Sequence, residues 1–62
     1  LGTSPHRYLV MRRLERAKTL IAAGESIAEA AFASGFADQA HLNRHFKKAL
    51  GMTPGRFAAL AV

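Results

Sequence analysis

The sequence predicts an all-α fold in which a long first helix precedes three shorter ones. Apolar residues recur along it at spacings of three and four, which is the period of an α-helix. Residues that start helices precede each of these stretches, and glycines follow most of them. No stretch alternates between apolar and polar residues as a strand does, and no repeat occurs. With 62 residues and no cysteine, the chain is expected to form one small domain of marginal stability.

The first helix is predicted over residues 5–23. Ser4 followed by Pro5 is typical of an N-cap with proline in the first helical position. Gly24 lies where a helix commonly ends in a left-handed conformation. One face of this helix carries apolar residues at helical spacing: Val10, Leu14, Ala17 and Ile21.

The shorter helices are predicted over residues 26–34, 38–50 and 54–60. Ser26 and Glu29 form a capping box, in which each side chain bonds the backbone amide of the other residue. Asp38 can cap the third helix, and Thr53-Pro54 repeats the pairing of cap and proline. The residues expected to face the core are Ile27, Ala30, Ala31 and Phe32, then Leu42, Phe46, Ala49 and Leu50, then Phe57 and Leu60.

The second and third predicted helices have the pattern of a helix-turn-helix, of the homeodomain-like kind. This arrangement needs a small residue where its two helices cross and a tight turn between them. Ala31 supplies the small residue, Gly35 supplies the turn, and Phe36 follows as an apolar residue beneath it. Leu42 and Phe46, four residues apart, are expected to hold the third helix on the core.

The outward face of the third helix is polar and basic. At about 100° per residue, this face consists of Ala40, Asn43, Arg44, Lys47 and Lys48, with Gln39 at its leading end. Asn and Gln can bond adenine, Arg can bond guanine, and Ala can contact the thymine methyl group. The two lysines, further along the helix, are better placed for phosphates. An ordinary solvated face is the alternative, and the turn before the helix favours the major groove of DNA.

The charge distribution also suggests a polyanionic partner. The net charge is +5. Residues 1–24 carry five bases and one acid, residues 25–38 three acids and no base, and residues 39–62 four bases and no acid. Nucleic acid and an anionic membrane both attract such a chain. The alternative function is therefore a basic amphipathic helical module for protein or membrane-surface interaction. The first helix lacks the bulky apolar face of a membrane-surface helix, and no apolar run is long enough for a membrane span.

Several short motifs occur together in the order and register of one known family. The first group is Gly2-x-Ser4-Pro5, Tyr8-Leu9, Arg13-Leu14 and Ala17-x-x-Leu20-Ile21. The second is Ser26-Ile27, Ala30-Ala31, Gly35-Phe36-x-Asp38, Arg44-x-Phe46-Lys47-Lys48 and Gly51-x-Thr53-Pro54. Through nearly its whole length the chain resembles the DNA-binding domain of the AraC/XylS family of bacterial transcription regulators. It departs where the family has an aromatic pair, here His41-Leu42, and where it has Tyr-Arg, here Phe57-Ala58.

The resemblance implies that residues 1–24 are the family's linker helix and residues 25–62 its second helix-turn-helix subdomain. It implies that a first such subdomain and a sensor domain belong to the full-length protein. It implies double-stranded promoter DNA and RNA polymerase as partners. No cofactor is expected, and a cytoplasmic location is the default because no membrane span or signal peptide occurs. By the same resemblance Gln39, Ala40 and Asn43 face bases, while Arg44 and Lys47 hold the backbone or base edges.

Other residues carry weaker signals. His41 and His45 have the spacing of a helical metal pair, but no third ligand is in register, so packing is predicted. Arg12, Arg13 and Arg16 are expected on a solvated face with Glu15 and Lys18, with a second DNA strip or, for Arg13, packing against the absent subdomain as alternatives. The two methionines are expected in the core. No nucleophile–base pair, carboxylate dyad or phosphate-binding glycine loop supports an enzyme.

Overall fold

The structure, a computed structural model, describes residues 4–61, with side chains described for residues 4–60. Within those residues it contains four α-helices and no strand. The helices are α1 (Pro5–Ala22), α2 (Ile27–Ser34), α3 (Gln39–Leu50) and α4 (Pro54–Ala61). The all-α prediction is confirmed, and each predicted boundary lies within one residue of the observed one.

The starts of the helices explain this agreement, because each has a side-chain cap. Ser4, Ser26 and Asp38 are extended residues just outside their helices, so α2 and α3 begin one residue later than predicted. The capping bonds run from the Arg7 amide to Ser4 Oγ (3.1 Å), from the Glu29 amide to Ser26 Oγ (3.1 Å), from the His41 amide to Asp38 Oδ1 (2.8 Å), and from the Arg56 amide to Thr53 Oγ1 (3.3 Å). Each such cap stabilises a helix by about 1 kcal/mol.

The core lies where α1 crosses the other three helices. Its buried apolar residues are Leu14, Ala17, Ile21, Ala30, Ala31, Phe36, Leu42 and Phe46. Phe46 is 0% exposed, and its ring contacts that of Phe57 with centroids 5.5 Å apart. Because α1 contributes three of these residues, the first helix and the helix-turn-helix share one core.

Several apolar residues expected in the core lie at the surface instead. Phe32 is 82% exposed because it lies on the opposite side of α2 from Ala30 and Ala31. Ser34 takes a buried place on that inner side, and its hydroxyl donates to the Ala30 carbonyl at 2.6 Å. The other expected core residues that are exposed are Ala49, Leu50, Leu60 and Met11.

Met52, in contrast, packs against the core as predicted. Ala49 borders an open groove between α1 and α3 that its methyl group is too short to fill. Leu50 and Met11 border a second opening between the same helices. The predicted inner face was therefore right for Leu14, Leu42 and Phe46, and wrong for Phe32 of α2 and for the exposed residues of the other helices.

Candidate nucleic-acid interface

The turn between α2 and α3 directs the third helix. Gly35 has a φ of +95°, in the left-handed region, and its amide bonds the Phe32 carbonyl at 3.3 Å. The Phe36 amide bonds the Ala31 carbonyl at 3.0 Å, which completes a Schellman motif. Phe36 itself is buried in the core. The tight turn and the apolar residue below it are therefore as the sequence predicted.

Arg13 of α1 lies across this turn. A Cβ atom at Gly35 would be 3.1 Å from Arg13 Nε and 3.5 Å from Arg13 Cδ. The Arg13 side chain is half-buried, whereas Arg12 and Arg16 are exposed. Expecting Arg13 on a solvated face was therefore wrong, while its packing against a further subdomain stays a prediction. The Arg13 side chain lies against the turn instead.

The third helix presents opposite faces to the core and to solvent. Leu42 and Phe46 are fully buried on the inner face. Five of the six predicted site residues are exposed: Gln39, Ala40, Arg44, Lys47 and Lys48. The sixth, Asn43, is half-buried. The fold thus brings the predicted residues together along one helix.

Asn43 lies deeper than the other residues of this face. Its amide oxygen is shielded from solvent and has no hydrogen-bond partner among the described residues. A buried acceptor without a donor is unfavourable by roughly 1–3 kcal/mol. Rotation of the amide by half a turn would exchange its oxygen and its NH2 group. The Asn43 side chain therefore carries one buried polar atom that no described residue bonds.

An open groove of about 440 Å³ runs beside Asn43 and is lined also by Arg44, Lys47, Lys48 and Thr53. Three of these five residues are basic and none is acidic. Thr53 caps α4, so the amide end of that helix lies beside the basic half of α3. The partial positive charge at a helix N-terminus favours anions. The groove therefore suits a phosphate group.

Thr53 was missed as a site residue by the sequence reasoning. The cap-and-proline motif predicted where α4 begins, but not that this start would lie against α3. Three residues, 51–53, separate the end of α3 from Pro54. Because so short a connection keeps the two helix ends close together, the spacing was the signal that could have placed Thr53 in the groove.

The two histidines of α3 contact each other on the side nearest the turn. The Nε2 atoms of His41 and His45 are 3.1 Å apart. Burial lowers the pKa of His45, and the charges of His41, Arg44, His6 and Lys48 lower it further. Among the described residues, no three His, Cys, Asp or Glu side chains gather as metal ligands. Neither α1 nor any other helix within residues 4–61 is both long and apolar enough to cross a bilayer.

Comparison with known proteins agrees with this architecture. Residues 1–59 match the family described as "Helix-turn-helix domain". The chain is 34% identical over 58 residues to a probable transcriptional regulator, LumQ, of Photobacterium leiognathi. It is 43% identical over 63 aligned residues to the transcriptional activator RhrA of Rhizobium meliloti strain 1021. No solved structure matches the chain.

These alignments cover most of this chain but little of the relatives. They include 92% and 97% of the chain, and only 23% and 20% of LumQ and RhrA, respectively. The fold and the exposed basic face of α3 define a helix-turn-helix domain. The chain belongs to the AraC/XylS family of this class, so the resemblance seen in the sequence is confirmed.

Proposed function

We propose that this chain is the sequence-reading part of a bacterial transcription regulator, and that α3 enters the major groove. The observation that carries the proposal is the outward face of α3, where the predicted site residues lie together behind a tight turn. An α-helix fits the major groove, and the edges of the bases are distinguishable there. DNA binding by the family supports this use of the face.

Some of the six residues are proposed to contact DNA bases and the others phosphates. Gln39, Ala40 and Asn43 are proposed to face bases, since they occupy the leading half of α3. Arg44 is proposed to bond a base edge or the backbone. Lys47 and Lys48 line the groove beside Thr53, and a mobile ammonium group there can neutralise a phosphate next to any base. The Asn43 oxygen is shielded from solvent, so this side chain must turn outward to bond the donor and the acceptor of an adenine.

The full-length protein is proposed to contain more than this domain. Its relatives are four to five times longer than the matched segment. We propose a first helix-turn-helix subdomain and a sensor domain outside this chain, with residues 1–24 as the linker helix and residues 25–62 as the second subdomain. Promoter DNA and RNA polymerase are the proposed partners, and the cytoplasm is the proposed location because the promoters of bacteria lie there.

The decisive experiment separates sequence preference from affinity in the intact regulator. Removing a base contact should weaken binding to the cognate site by about 1–3 kcal/mol and change binding to random duplex little. Asn43→Ala is therefore expected to relax sequence preference. Lys47→Ala is expected to weaken binding to both duplexes by the same factor, because a phosphate contact carries no sequence information.

Arg16→Ala is the control, since Arg16 is exposed on α1 outside this face. It should leave the ratio of cognate to random binding unchanged, and its effect on affinity should be smaller than that of Lys47→Ala. Binding is measured by fluorescence anisotropy with labelled duplexes at one fixed salt concentration. If Asn43→Ala and Lys47→Ala lower both affinities in the same ratio, α3 does not read bases through Asn43.

A further inference from the structure

His41 and His45 form a contact that the proposed function does not use. Besides the approach of their Nε2 atoms to 3.1 Å, their ring centroids are 4.7 Å apart. Both rings also lie against Phe36, with centroid distances of 5.5 Å for His41 and 5.8 Å for His45. The pair therefore connects the first two turns of α3 to the buried residue of the turn that precedes it.

The hydrogen bonds determine where the protons lie when both rings are neutral. The Ala37 amide donates to His41 Nδ1 across 3.4 Å, so that nitrogen is an acceptor. A neutral imidazole carries one proton, which must then be on His41 Nε2. His41 Nε2 donates to His45 Nε2, which is left as the acceptor. One chain of hydrogen bonds thus runs from the turn through both rings.

Protonation of either ring breaks one hydrogen bond of this series. A proton added to His41 goes to Nδ1, which can then no longer accept the Ala37 amide. A proton added to His45 goes to Nε2, and the bond between the rings then survives only if the His41 proton moves from Nε2 to Nδ1, which again displaces the Ala37 amide. Two imidazolium rings at this distance would also repel each other. The complete series of hydrogen bonds therefore exists only when both histidines are neutral.

The charged groups around the pair oppose protonation further. Arg44 and Lys48 on α3 and His6 on α1 each act on His45, and Arg7 of α1 lines the same groove as His45. The carboxylate of Asp38, in the turn, is occupied by the His41 amide at 2.8 Å. The surroundings of the pair are thus mostly basic, on its own helix and on the helix packed against it.

We propose that the His41–His45 pair is a proton-sensitive latch, which holds the start of α3 against the turn when neutral and releases it on acidification. The pKa of His45 lies below its ordinary value in the folded chain, so the unfolded chain binds protons more readily. Stability is therefore complete above about pH 6.5, the pKa of a free histidine, and falls as the pH decreases toward the lower folded value. The latch does not depend on DNA, but it would couple order in α3 to pH.

A histidine titration of the chain by NMR tests the latch directly. Free histidine in the same buffer serves as the reference. We expect the midpoint of His45 to lie below the ordinary value of a free histidine, because burial and the neighbouring charges disfavour its charged form. A His45 midpoint at or above that of free histidine would overturn the proposal. This measurement needs no variant.

The variant His45→Gln then tests the effect on stability. The Gln carbonyl can still accept from His41 Nε2, but it does not titrate. Between about pH 7.5 and about pH 5, the wild-type melting temperature should fall more than that of His45→Gln. His6→Gln removes a histidine outside the pair and should keep most of the wild-type fall. An equal fall in melting temperature in all three proteins would contradict the latch. A finding that α3 does not recognise DNA bases would contradict the proposed function and not the latch.

Discussion

Two glycines that end helices show how differently the fold uses one residue type. Gly35 and Gly51 both have left-handed backbones, with φ of +95° and +75°. A Cβ atom at Gly51 would meet nothing within 4 Å, whereas one at Gly35 would lie 3.1 Å from Arg13 Nε. Gly51 is thus constrained by its backbone alone. Gly35 is constrained by its backbone and by the helix that crosses the turn.

We expect Gly35→Ala to destabilise the chain more than Gly51→Ala. Both variants place a side chain in the left-handed region, at roughly 1–2 kcal/mol, but only Gly35→Ala also displaces Arg13. Unfolding in urea gives the difference in free energy. Adding Arg13→Ala should remove the extra loss at position 35, as a double-mutant cycle measures. Equal losses at both glycines, unaffected by Arg13→Ala, would mean that the Arg13 contact constrains nothing.

Within the helices, the position of an aromatic residue relative to the core decides how much it contributes to stability. Phe46 of α3 is completely buried and contacts Phe57 of α4. Phe32 of α2 is almost entirely exposed. The two residues have the same side chain, and both lie in helices of the helix-turn-helix. They therefore form a matched pair for testing where the core lies.

Phe46→Ala is expected to lower the free energy of unfolding by about 3–5 kcal/mol, because it removes a ring from a packed interior. So large a loss should unfold a domain of this size. Phe32→Ala should change stability by no more than about 0.5 kcal/mol. Circular dichroism during thermal unfolding distinguishes the two results. A cooperative transition for Phe46→Ala near the wild-type temperature would show that the core is misplaced.

Across the whole molecule, the bases and acids are segregated along the chain. The acidic stretch, residues 25–38, contains α2 and the turn, and the basic stretches contain α1 and α3. Exposed basic residues also lie on α1 at Arg12 and Arg16, away from the groove lined by Lys48. Net charge alone therefore cannot identify which basic residues contact DNA.

The salt dependence of DNA binding distinguishes the basic residues of α1 from those of α3. Each phosphate contact releases counterions, so Lys48→Ala in the intact regulator should reduce the slope of log K against log salt by about one. Arg12→Ala should leave that slope nearly unchanged, although it removes the same charge from the same domain. Titrations at several salt concentrations give both slopes. A loss of slope for Arg12→Ala as large as for Lys48→Ala would place α1 on the DNA as well.

The sequence by itself determined where the helices lie and which face of α3 is polar. Ser4, Ser26 and Asp38 predicted the helix starts, and Gly24 and Gly35 the ends, because caps and left-handed glycines act over only three to five residues. The period of a helix then separated Leu42 and Phe46 from the predicted site residues without any tertiary contact. The motifs shared with the AraC/XylS family identified the domain for the same reason, since they are local patterns in a fixed register.

Only the tertiary structure decided what the helices do to one another. The position of Arg13 over Gly35, and of Thr53 beside Lys47, depends on where two helices cross or end. The exposure of Phe32 and the burial of Ser34 depend on which side of α2 the first helix covers. Residue spacing along the chain describes one helix at a time, whereas these contacts arise from the packing of side chains between helices. That packing is set by all the contacting residues together, and no single stretch of sequence contains it.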